Sequence, residues 1–384
     1  MTRASPQPTE EHVTPATGDG GPGQGSTAAA GWLFDRTTDL WTFGGSAALS
    51  ALLLLFGAAT GLLDAATPVW LWLWLVVFVD VAHVWTTLFR TYLDGDELRR
   101  HRLRYAGVPL GCYLLGTATH AVSPALFWRV LAYVAVFHFI RQQVGWLALY
   151  ERRRPAPTPL DRRLEQSALH AAMVYPLIHW HAHLPAQFAW FMPGDFAGGW
   201  IDGDWVEHLA PFYWALMITY LGRQAVLWSR SALHPGKLLL VVTTWACWHL
   251  GIVTFASDYA FTVTNVIIHG APYAVLIYRH GRARTTGVGA SLSSRLLARG
   301  ALPFCALCLL LATLEELGWD RLVWHEHDRL FGPGPLLSDH ILALVVPLLA
   351  VPQATHYVLD GLIWRTRSDP ALRASLSRMA DNPR

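Results

Sequence analysis

The stretch from Val69 to Tyr92, VWLWLWLVVFVDVAHVWTTLFRTY, is apolar for long enough to cross a bilayer, yet it carries Asp80 and His83 in its interior. Residues three apart share one face of a helix, so this carboxylate and this imidazole point the same way. Ionisable groups at such depth are costly unless they face a partner, a metal or a water-filled cavity. The remaining helices are therefore read for what they point at this face.

Working outward, similar apolar runs fill most of the chain. Spans are expected at 44–63, 69–90, 105–122, 124–149, 166–182, 209–228, 238–256, 260–278, 301–317 and 341–364. The fold class is all-α: a polytopic integral-membrane bundle of about ten transmembrane helices over residues 31–365. Of the 384 residues, 53% are hydrophobic and only 15% charged, which argues against a soluble enzyme with one core. The 19 Trp suit the bilayer boundary, where indole is favoured. Residues 1–30, rich in Pro, Gly, Thr and Ser, read as a disordered tail, and 366–384 as a second, short tail. No charged-then-apolar signal peptide opens the chain.

The connections alternate in charge. Arg99, Arg100, Arg102 and Arg104 follow the second span; Arg152, Arg153, Arg154, Arg162 and Arg163 follow the fourth; Arg230 and Lys237 follow the sixth. Arg279, Arg282, Arg284, Arg295 and Arg299 follow the eighth, and Arg365 and Arg367 the last. The opposite connections are neutral or acidic, with Asp64, Asp195, Asp202, Asp204, Glu207 and Asp258, apart from the mixed loop 318–339. Lys and Arg collect on the cytoplasmic side, so both termini are expected there, in a bacterial-type inner or plasma membrane.

With that orientation, each intramembrane histidine has a depth at 1.5 Å of rise per residue from the nearest cytoplasmic cation. The values are roughly 10 Å for His83 and His170, about 13 Å for His356, about 15 Å for His269, and about 18 Å for His138 and His249. The rings fall in one layer, bracketed by Asp80 and Asp360. Asp80 with His83, His356 with Asp360, and Asn265 with His269 each share a helix face. His83, His138, His249, His269 and His356 are thus the expected metal ligands, with Asp80 or Asp360 as a bridging or supporting carboxylate. Arg141, Gln142 and Tyr273 are expected to orient substrate or oxygen. Imidazole with carboxylate suits Fe, Zn or Mn, and thiolate ligands are not at hand. His120 and His170, alone on apolar faces, read as packing residues, as do Cys112, Cys247, Cys305 and Cys308.

A second group, His179, His181 and His183 in IHWHAHLP, lies near the outer end of the fifth span. With the acidic loop beyond it, this group is either a second metal site or a solvated interfacial cluster. His325, Glu326, His327 and Asp328 share that side, where charge is cheap.

No phosphate-binding loop, dinucleotide fingerprint, nucleophile elbow or nucleic-acid face is found. Histidines gathered on the cytoplasmic side of a helical bundle resemble the membrane non-haem iron enzymes: fatty-acid desaturases and hydroxylases, alkane hydroxylases and bacterial carotene-cleaving oxygenases. The resemblance covers the organisation of the bundle; the HxxHH box of desaturases is absent, and the one HxxxH, His179 to His183, lies on the opposite side. It implies an oxidoreductase holding iron, one ion or a di-iron pair, near a lipid or lipid-soluble substrate, supplied by an electron donor. The other readings of the same residues are a proton-coupled transporter or channel with a His/Asp relay, and a b-type haem protein with axial His pairs.

Overall fold

In the computed structural model, described over residues 31–185, 189–284, 291–365 and 369–381, every regular element is a helix. The tail expected at residues 1–30 lies outside the described residues. Seven helices are long and apolar enough to cross a membrane: α1 Arg36–Thr60, α2 Val69–Arg90, α4 Pro124–Arg153, α7 Pro235–Thr254, α8 Asp258–Arg284, α9 Ala301–Trp324 and α10 Asp339–Ile363. Three more, α3 Arg102–Val122, α5 Pro159–Ala182 and α6 Gly203–Ser229, match the other expected spans in position and length but fall short in apolarity. The chain is an integral-membrane protein in its composition and architecture, as intramolecular backbone pairing in lipid requires.

Helix α8 is the axis of the bundle. Of its most apolar stretch 83% is buried, against 22–56% in the other six, so it touches neighbours on all sides. Helices α1, α2 and α11 (Pro370–Asp381) pack on it, while α3 and α4 pack on α10, and α9 on α2. Contact between α8 and α2 is close at Gly270, where a Cβ atom would lie 2.9 Å from the Val79 carbonyl oxygen and 3.0 Å from its Cγ1. Small residues let backbones approach in membranes, where the dispersion contacts they permit hold helices together.

Among the described residues five helices carry π-helical stretches, three of which bear on the polar residues: Leu73–Val81 in α2, Thr262–Val266 in α8 and His249–Thr254 in α7. Each wide turn holds an extra residue and rotates the rest of its helix about the axis. Helix α10 is broken at Ala350, between Asp339–Leu349 and Val351–Ile363, with Pro347 and Pro352 on either side of the break.

Many of the cations that set the charge asymmetry also tie the bundle together. Arg90, buried, pairs with Glu97 at 2.9 Å and Asp369 at 3.6 Å; Arg279 pairs with Asp35 and Arg284 with Asp94, both at 3.0 Å. Lys237, 1% exposed, holds Glu151 and Glu165. Residues 370–381 form α11 rather than a free tail. Leu372 and Met379 are buried, and Ser375 Oγ lies 3.0 Å from His280 Nε2.

Gly270→Ala is expected to force α2 and α8 apart and to destabilise the bundle by about 1–3 kcal/mol, the usual range for overpacking. Thermal unfolding of the detergent-solubilised protein measures it; an unchanged midpoint would refute the close-approach argument.

Candidate metal centre

Four histidines from four helices meet beside Gly270. His83 comes from α2, His138 from α4, His269 from α8 and His356 from α10; all are buried, and one ligand atom from each lies within 4.8 Å of the others. The nearest pair is His138 Nε2 and His356 Nε2, 3.2 Å apart. The His83 ring lies 4.6 Å from that of His269 and 4.9 Å from that of His356, and His138 lies 5.0 Å from His269. A metal with bonds of about 2.0–2.1 Å to imidazole sets its nitrogens about 3.4–4.1 Å apart. With ligand atoms all within 4.8 Å of one another, the rings must draw together to close this cage on one ion.

The nitrogens themselves call for a cation. Neither ring nitrogen of His83 or His269 has a hydrogen-bond partner, although both rings are at most 2% exposed. Leaving such a group unsatisfied costs about 1–3 kcal/mol. A cation among the four rings would use their lone pairs at once, so the donor set fits a metal of the imidazole-binding kind.

Outer contacts fix the orientation of the rings. Thr87 Oγ1 lies 2.8 Å from His356 Nδ1, Asp80 Oδ1 lies 3.6 Å from His83 Nδ1, and Asp360 Oδ2 lies 3.8 Å from His138 Nδ1. At His356 the Thr87 hydroxyl on Nδ1 leaves Nε2 to face inward, as metal-bound imidazoles require, while the two carboxylates stand beyond hydrogen-bond distance of their histidines. Phe139 stacks on His269 at 3.6 Å and 10°, and Tyr357 on His138 at 4.8 Å and 29°.

The other expected residues take different places. Asp80 and Asp360 stand outside the imidazoles, on their Nδ1 sides, and bridge nothing inside the cage. Tyr273, buried one turn beyond His269, sets its ring 5.2 Å from His356 and its hydroxyl 3.4 Å from Thr87 Oγ1. Gln142 Nε2 donates to the His269 carbonyl, 3.2 Å away, so it positions α8. Arg141 is exposed on α4 and acts on Asp360 through its charge.

His249 does not join the cage. It sits on α7 with Nδ1 3.1 Å from the Tyr213 hydroxyl, its ring stacked on that tyrosine. Depth counted along a helix says nothing about azimuth, and α7 presents this residue to α6. Asn265 is not among the cage residues. It lies inside the π-helical stretch of α8, donates to Thr264 Oγ1 at 3.0 Å and leaves its Oδ1 buried without a partner.

Of the outer histidines, His179 and His183 stack at 4.2 Å, but His181 turns away to the Tyr133 hydroxyl at 3.0 Å. Among the described residues, the four-histidine group is the one set of three or more His, Cys, Asp or Glu side chains close enough to hold a metal. Sequence reasoning missed Thr87, Phe139 and Tyr357. Thr87 had a signal, four residues after His83 and on its face.

No protein-family model, curated protein or solved structure matches the chain.

His269→Ala and His356→Ala are expected to lose bound metal, measured as ions per chain by elemental analysis, while His249→Ala keeps it. Thr87→Val should weaken metal affinity about 10–100-fold, the usual effect of removing the outer partner of a ligating histidine. Retention of metal by all of these variants would remove the centre.

Proposed function

We propose that the chain is an integral-membrane metalloenzyme: a non-haem iron oxidoreductase acting on a lipid-soluble substrate. The observation that carries this reading is the cage of four buried imidazoles, one from each of four helices, with both ring nitrogens of His83 and His269 lacking other partners in an apolar bundle. Iron fits because neutral imidazoles suit it and no thiolate lies near; Zn and Mn share that ligand preference and are decided by metal analysis. One ion is favoured over a di-iron pair. A pair needs bridging carboxylates, and Asp80 and Asp360 lie on the outer sides of their histidines. Held by His83, His138, His269 and His356 as neutral ligands, an ion would keep its positive charge and would supply Lewis-acid polarisation to the reaction.

The protein's own part is to hold four lone pairs on one point, keep bulk water out and admit an apolar molecule from the lipid. Arg141, through Asp360, and Thr87, through His356, set the electrostatics behind the rings. We further propose ten crossings with both termini on the cytoplasmic side of a bacterial-type membrane, supported by the alternation of Arg-rich and acidic connections. An electron donor would then meet the Arg-rich face.

The relay reading has Asp80 and Asp360 in its favour, but it leaves the convergence of four lone pairs without a purpose. A b-type haem needs an open plane between two axial histidines, and here the other two rings fill it.

Protein purified from iron-replete cells is expected to carry about one Fe per chain and to show no Soret band. A haem spectrum, or full turnover of a lipid-soluble substrate by metal-free protein, would refute the proposal.

A further inference from the structure

The Thr87 hydroxyl stands between two other polar groups of the core, each from a different helix. Its Oγ1 lies 2.8 Å from His356 Nδ1 on α10 and 3.4 Å from the Tyr273 hydroxyl on α8. All three side chains are buried, Thr87 at 5% exposure and the other two at 1%. The row therefore ties α2, α8 and α10 together directly behind one of the four rings.

The direction of each hydrogen bond in the row follows from the protons available. A threonine hydroxyl has one proton to give and two lone pairs, and a neutral imidazole carries its one proton on either nitrogen. His356 turns Nε2 into the cage, 3.2 Å from His138 Nε2. For Nε2 to offer its lone pair there, the ring proton must sit on Nδ1, and Thr87 Oγ1 must accept it. The Thr87 proton then needs an acceptor of its own. One turn back along α2, the His83 carbonyl receives the Thr86 hydroxyl instead, and among the described residues the acceptor left within reach is the Tyr273 oxygen. That phenol is fixed in place. Its ring stands edge-on to His356 at 5.2 Å and to His83 at 6.0 Å, in the same buried apolar cluster as Val81 and Ala82 of α2.

Resting on the proposed metal centre, we infer that Tyr273 is a positioning residue for the His356 ligand: by taking the Thr87 proton it holds Nδ1 as the donor and Nε2 as the ligand atom. With the ring proton on Nε2 the row runs the other way, Thr87 giving its proton to Nδ1, and the tyrosine is not needed as an acceptor. The contribution of Tyr273 thus falls on the state in which Nε2 is engaged, and it passes through the threonine.

The test is a double-mutant cycle on the affinity of full-length, chelator-stripped protein in detergent for Co(II), measured by competition with a chelator. Tyr273→Phe should lower the affinity about threefold to tenfold at unchanged stoichiometry, the effect of losing one neutral hydrogen bond. In a Thr87→Val or Thr87→Ala background the same substitution should change nothing, because its effect has no path to the ring. Thr87→Ser keeps the hydroxyl and should preserve both the affinity and its sensitivity to Tyr273→Phe. Equal losses with and without the Thr87 hydroxyl would overturn the inference, as would an unchanged affinity in Tyr273→Phe alone, in either case with the centre intact. Failure of the wild type to bind Co(II) at equilibrium would overturn the centre and this inference together, and stoichiometry distinguishes that outcome.

Discussion

The structure turns on the cost of burying imidazole nitrogens away from water. A buried histidine ordinarily finds an acceptor for its N–H and a donor for its lone pair. In this bundle His83 and His269 find neither, and His138 and His356 turn Nε2 toward each other. Four lone pairs converging in an apolar interior are tolerable when a cation holds them. The helices that bring them there are themselves constrained: α8 approaches α2 through Gly270, Phe139 stacks on the His269 ring, and Thr87 meets His356. Each constraint serves the position of a nitrogen.

Charge is distributed with the same economy. At the Arg-rich end, Arg90, Arg279, Arg284 and Lys237 pair with carboxylates, and α11 folds back over α8 there. At the other end, Glu315 Oε1 and Asp320 Oδ2 on α9 are buried without a hydrogen-bond partner.

Much of this was legible in the chain. Long apolar runs imply helices because backbone groups in lipid must pair within their own segment, and the expected spans match long helices in position. The histidine layer was legible too, since rise per residue is fixed: four of the five expected ligands meet. His249 does not, because depth is one cylindrical coordinate and azimuth another, and azimuth depends on how α7 rotates against its neighbours. Residues 370–381, polar enough to read as a tail, dock because their apolar residues fall on one face.

By itself, then, the sequence determined the all-helical class, the membrane setting, the asymmetry of charge and the level at which the imidazoles lie. All of these come from composition and from distances along one chain. Only the tertiary structure decided which rings face one another, that Asp80 and Asp360 stand behind the histidines, and that Glu315 of α9 meets Trp85 of α2. Those relations depend on the rotation of each helix about its own axis, and that rotation is fixed by packing between segments far apart in the chain, as where Arg90 meets the Ile363 carbonyl 273 residues on.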